Sequence, residues 1–112
     1  MRMWMIDPAN LCDKHLLAEH VELHMATGSI IKGRSIRGFL KKGLLDPSSI
    51  QKRHAQLVEE MQKRGFNHKT PLHLKSDIKC DINISANYTE LINRCPDCKK
   101  RIIDGAQKCF RK

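Results

Sequence analysis

The sequence predicts an all-α fold, a compact single domain of about three main helices with an extended N-terminal arm. Three observations carry this. Apolar residues return at helical spacing in two long stretches, Asp-Pro pairs and glycines mark starts and stops around them, and strand-like alternation is confined to Asp81-Ile82-Asn83-Ile84, too short to build a sheet. The chain has 112 residues, the size of one domain.

Residues 1–7 read as an extended arm. Asp7-Pro8 is a helix start, because Asp accepts bonds from first-turn amides and Pro is tolerated at the first helical position. From there to Thr27 the pattern is helical, with Leu17, Val21 and Met25 on one stripe and Gly28 ending or weakening it. Residues 35–42 form a short basic helix or turn stopped by Gly43. Asp46-Pro47 repeats the start signal; Ile50, Leu57, Val58 and Met61 follow at helical spacing, and Gly65 closes the helix. Residues 66–79 make an irregular connection. Ser85 is the expected N-cap of a helix that must end or kink before Pro96. A last helix from Asp97 to Ile103 is closed by Asp104-Gly105.

Lys and Arg number 21 against 12 Asp and Glu, a formal charge of +9, so a polyanion is the expected partner. A basic protein with no nucleic-acid role is the alternative on charge alone. No apolar run approaches the roughly 20 residues of a membrane span, and the first residues lack the apolar stretch of a signal peptide. The expectation is a cytoplasmic, DNA-associated monomer with no membrane partner and no cofactor. Five cysteines, an odd number, argue against a disulfide framework in that setting.

On a helical wheel His15, Glu19 and Glu22 fall within roughly 60° of each other, and Ala26 continues the stripe. Ala18 and Met25 flank it on one side, Leu16 and Leu23 on the other. A carboxylate between apolar walls is desolvated, which suits it to proton transfer. The same stripe also reads as two solvated glutamates and a surface histidine. The arm shifts the balance. Residues 1–7 reach roughly 23 Å when extended, and Pro8 to Glu22 along a helix is about 21 Å. If the chain reverses at Asp7-Pro8, the Met1 α-amine lies beside Glu22. An α-amine titrates near about 8, against about 10.4 for lysine, so far more of it is free base near neutrality. An amine nucleophile beside a carboxylate is equipment for Schiff-base chemistry on a sugar C1′.

Two blocks then carry a resemblance: Leu11-Cys12-Asp13-Lys14-His15-Leu16-Leu17-Ala18-Glu19-His20-Val21-Glu22-Leu23, and Lys52-Arg53 through Lys63-Arg64-Gly65-Phe66-Asn67. Over its first 70 residues the chain resembles the pyrimidine-dimer DNA glycosylases of the phage endonuclease V type; residues 70–112 give no such match. The resemblance implies a glycosylase with abasic-site lyase activity on lesion-bearing double-stranded DNA. Met1, retained before the bulky Arg2, would be the nucleophile and Glu22 the catalytic carboxylate. His15 would match a pocket histidine. The DNA-binding set would be Arg2, Lys14, His15, His20, Lys52, Arg53, Lys63 and Arg64. Val21 and Met25 stand where the family carries arginines, with His20, His24 or Lys32 as candidate substitutes. The family's aromatic, basic tail is missing, and only 4% of residues are aromatic, with Trp4, Phe39, Phe66, Tyr88 and Phe110 the stacking candidates.

Cys95-Pro96-Asp97-Cys98 has zinc-ligand spacing, and Cys80 and Cys109 are the available completions of a four-thiolate site. Idle or buried thiols are the simpler reading, so no metal is expected. His68 and His73 are expected in a solvated loop, and Met1, Met3, Met5 and Trp4 as packing of the arm. The competing function is a non-catalytic basic helical DNA-binding module, zinc-stabilised or not.

Overall fold

A computed structural model describes residues 1–68 and 70–110, with residues 106–110 described as backbone only. Among the described residues five α-helices follow the arm: α1 (Asp13–Ile31), α2 (Arg37–Lys41), α3 (Ile50–Lys63), α4 (Ile84–Arg94) and α5 (Pro96–Phe110). Short 3-10 turns, Pro8–Asn10 and Pro47–Ser49, precede α1 and α3. There is no strand among the described residues. The all-α expectation holds, with α1, α3 and α5 as the long helices.

Both Asp-Pro signals start something shorter than a helix. Asp7 accepts from the Ala9 amide at 3.0 Å, but the chain turns only once before the buried Leu11 breaks it away. α1 begins afresh with Cys12 as N-cap, its sulfur accepting from the His15 amide at 3.5 Å. The helix then runs through Gly28, whose missing side chain leaves open space. It ends at Gly33 (φ 71°), where Arg34 N donates to Ser29 O and Gly33 N to Ile30 O. That pair of bonds needs a left-handed residue, which Gly33 supplies and a helical Gly28 does not. Gly65 (φ 86°) closes α3 in the same way through Phe66 N to Met61 O, as its sequence position predicts. The N-cap of α4 is Asn83 rather than Ser85, its Oδ1 accepting from the Ala86 amide at 2.9 Å. Gly105 does not stop α5, which continues to Phe110.

α1 packs against α3 through Leu16, Leu23 and Ala26 on one side and Ile50, Leu57 and Met61 on the other, all buried. The arm completes this core: Met3, Trp4 and Ile6 are each at most 3% exposed. The predicted apolar stripe of α1 is a correction. Leu17 is only partly buried, and Val21 and Met25 are 54% and 55% exposed. The inward face carries Glu19, His20 and Thr27 beside the aliphatic residues. Polar groups replace apolar ones there, Glu19 with a charged partner on α3, so hydrophobicity alone misplaces the face.

One of those partnerships governs the core. Arg53 Nε and Nη2 donate to Glu19 Oε2 and Oε1 at 2.6 and 3.0 Å, with both side chains at most 2% exposed. A bidentate buried pair of this kind fixes the register of two helices, and removing one member leaves a bare charge inside. α4 and α5 pack on each other, and α5 lies on the Pro8–Asn10 turn, with Arg101 Nε donating to Ala9 O at 3.0 Å.

Candidate active site

The arm is held extended by one bond from each of three places. Met3 N donates to Leu44 O (2.8 Å), Arg53 Nη1 to Ile6 O (2.7 Å) and Asn87 Nδ2 to Trp4 O (2.7 Å). With its middle pinned, the arm's first residue arrives at the flank of α1. There the Glu22 carboxyl faces the Arg2 backbone N–H and feels the positive charge of the Met1 α-amine. Burial raises the Glu22 pKa above the ordinary carboxylate value; the amine and the Arg2 amide pull it back, and the neighbouring Glu19 charge adds to the rise. The arm thus brings the charge of its first residue within electrostatic reach of Glu22.

Glu19 and Glu22 share a face and little else. Glu19 is fully buried and saturated by Arg53, whereas Glu22 is half-buried and feels the charge of the amine. His15 lies further toward the start of the helix, edge-on to Trp4 with ring centres 6.0 Å apart, and its Nδ1 faces sulfur rather than a carboxylate.

The residues expected to bind DNA divide in two. Lys14, Lys52 and Lys63 are exposed and available to phosphate. The arginines are engaged within the fold. Arg2 stacks on Trp4 at 3.9 Å, donates to Asn87 Oδ1 at 2.6 Å and pairs with Glu90. Arg53 holds Glu19 and the arm. Arg64 is 11% exposed and donates to Leu11 O (2.7 Å) and Pro8 O (3.1 Å), with Asp13 and Glu60 as ionic partners. His20, 8% exposed, turns inward. Of the residues that could stand in for the family's arginines, His20 and His24 face each other and Lys32 is exposed. Trp4 is too deeply buried to stack on a base, Phe39, Phe66 and Tyr88 are partly buried, and the side chains of Cys109 and Phe110 lie outside the described residues.

Two clusters assemble from residues distant in sequence. Cys95 and Cys98 meet Cys12 and His15. Cys80 is not with them; its thiol faces Leu40 O at 3.3 Å, a consequence of its amide being held by Asp46 Oδ1 at 3.2 Å. Burial and the adjoining thiols push Cys98 up to about 12. His20, His24, His54 and His68 form the second cluster. Burial first, then the neighbouring imidazoles, lowers His20 and His54 to about 4. Both are donor sets that transition metals take. Sequence reasoning missed Cys12 and His15, although Cys12-x2-His15 repeats the spacing of Cys95-x2-Cys98. It also missed the histidine set, although His20 and His24 stand one helical turn apart.

A family model for pyrimidine dimer DNA glycosylases matches residues 1–74, which hold the arm, both Glu19 and Glu22, and Arg53. The chain belongs to the pyrimidine dimer DNA glycosylase family. Membership makes DNA the substrate class and base removal the chemistry. No curated protein and no solved structure gives a significant match. The family match ends before α4 and α5, so Asn87, Glu90, Cys95 and Cys98 stand outside the family-matched part. No helix among the described residues is long and apolar enough to cross a membrane.

Proposed function

We propose that the protein removes a damaged pyrimidine from double-stranded DNA and then cuts the strand, acting as a monomer through a Schiff base on the Met1 α-amine. The carrying observation is the Met1 amine within electrostatic reach of the half-buried Glu22 in a member of this family. In this reading the neutral amine attacks C1′ of the lesion nucleotide and the glycosidic C1′–N bond breaks, releasing the base with a proton. Glu22 passes a proton to the ring oxygen as the sugar opens to an iminium. It then takes a proton from C2′, and the C3′–O bond breaks with phosphate as leaving group. Water hydrolyses the remaining imine and restores the amine. Reaching C1′ requires the nucleotide to leave the stack, and phosphate contacts from exposed lysines such as Lys14, Lys52 and Lys63 support that distortion.

The test is reductive trapping. Untagged protein with abasic or dimer-containing duplex and borohydride gives a one-to-one covalent adduct. One glycine added before Met1 abolishes the adduct, and so does acetylation of the amine. An adduct that survives acetylation of the α-amine assigns the chemistry to a lysine and sinks this mechanism. Binding with neither adduct nor base release favours the non-catalytic DNA-binding module, a reading that exposed Val21 and Met25 in place of the family's arginines keeps in play.

A further inference from the structure

We propose that Cys12, His15, Cys95 and Cys98 bind a zinc ion that clips the α4–α5 pair onto the start of α1. Zinc takes thiolate at about 2.3 Å and imidazole at about 2.0–2.1 Å in a tetrahedron, which sets ligand atoms about 3.5–3.8 Å apart. Here Cys12 Sγ lies 3.9 Å from Cys95 Sγ and 3.2 Å from His15 Nδ1, and Cys98 Sγ lies 3.4 Å from His15 Nδ1. Three of the six edges are thus close to the required lengths, and all four ligand atoms lie within 4.8 Å of one another.

The local architecture is the same on both sides. Cys12 caps α1 and His15 sits in its first turn; Cys95 immediately precedes α5 and Cys98 sits in its first turn. Two helix N-termini therefore converge on the sulfurs, where partial positive charge favours thiolate. Amides reinforce this: Cys12 N donates to Cys98 Sγ at 3.2 Å and Cys98 N to Cys95 Sγ at 3.5 Å. A need for burial does not explain the gathering. Among the described residues of α4 and α5, Asn87, Leu91 and Cys98 are the buried ones, so this pair has little core of its own and gains most from a metal crosslink. α4 in turn holds Trp4 O through Asn87, so the ion braces the arm at one remove.

A different observation carries a second site. We infer that His20, His24, His54 and His68 hold another late first-row divalent ion, for which zinc is the probe. Five of their ring pairs have centres 4.8–5.0 Å apart. Imidazoles aimed at one tetrahedral ion at about 2.0–2.1 Å stand about 5 Å centre to centre. His54 Nε2 and His24 Nε2 are 3.2 Å apart, and the buried His20 Nε2 has no hydrogen-bond partner. An orphaned ring nitrogen inside a ring of three others is explained by a ligand that all four share.

Elemental analysis of untagged wild-type protein, refolded with zinc after chelation, reads two ions per chain. Cobalt loading adds thiolate-to-metal charge transfer. The Cys95→Ser/Cys98→Ser pair loses one ion and the charge-transfer band; His20→Ala/His54→Ala loses one ion and keeps the band. Because wild-type spectra need no variant to fold, they decide alone. Cobalt-loaded wild type without thiolate charge transfer, or a Cys12–Cys95 disulfide in freshly isolated protein, overturns the thiol site. Wild type that saturates at one ion while showing the band overturns the histidine site.

Discussion

Residues 1–74 and residues 75–110 are tied together by different means. The first region, which the family model covers, is locked by buried charge: Arg53 grips Glu19 and the arm, and Arg64 closes the Pro8–Asn10 turn. The second meets the first through scattered hydrogen bonds from Asn87, Arg101 and the Cys80 amide, through the part-exposed Arg2–Glu90 pair, and through the Cys12–His15–Cys95–Cys98 cluster. The lesson is that the candidate site draws on both. The proposed reacting groups come from the family-matched part, while one of the bonds that hold the arm comes from the added helices.

The sharpest way to break this contrast is Arg53→Ala. It leaves Glu19 buried without a partner and costs about 3–5 kcal/mol, read as a fall in the urea midpoint. Replacing both as Glu19→Leu/Arg53→Met recovers most of the loss. A single substitution costing under about 1 kcal/mol would mean that the pair is not what locks the first region.

Glu22→Gln separates aiming from holding. Its stability stays within about 1 kcal/mol of wild type, while single-turnover strand cleavage falls by about 10²–10⁴-fold. Equal losses of stability and cleavage would make Glu22 a structural residue like Glu19.

Asn87→Ala tests whether the second region aims the arm. Losing the bonds to Trp4 O and Arg2 costs about 1–3 kcal/mol. Borohydride adduct forms more slowly than in wild type at full DNA occupancy, because the amine wanders from Glu22. Unchanged trapping would confine aiming to residues 1–74.

The smallest effect is at the other tie. Asp46 is buried enough to disfavour its charge, yet bonds from Ser48, Ser49 and the Cys80 amide bring its pKa below the ordinary value. A carboxylate depressed in the folded state contributes stability above its unfolded pKa, near about 3.9, and that contribution vanishes as pH falls through the folded value. Asp46→Asn is therefore less stable by about 1 kcal/mol at neutral pH. The gap in urea midpoint narrows as pH falls below about 4. A gap independent of pH would assign it to lost packing.

Much of this was legible from residue order. Caps and stops gave α2 and α3, because Gly43, Gly65 and Asp46-Pro47 act over a few residues. The Met1–Glu22 approach followed from two lengths, since a pinned arm and a helix are both nearly rigid rulers. What was not legible needed partners distant in sequence. Arg53 and Arg64 read as surface cations until Glu19 and the Pro8 turn were seen beside them. Val21 and Met25 read as core because the polar residues that displaced them, Glu19 and His20, meet Arg53 and His54 only across the helix pair. Cys80 was grouped with Cys95 by residue type, whereas Asp46 dictates where its backbone goes.

Met5 holds a φ of 58°, a left-handed value that costs a side-chain-bearing residue about 1 kcal/mol or more. That bend has a benefit apart from repair chemistry. An arm alternating Met1, Met3 and Met5 with polar or aromatic neighbours would otherwise be a flat, sticky ribbon, ready to zip onto the same segment of another molecule. With its ladder interrupted at the fifth residue, the docked arm presents no continuous edge on which a second molecule could lay a strand.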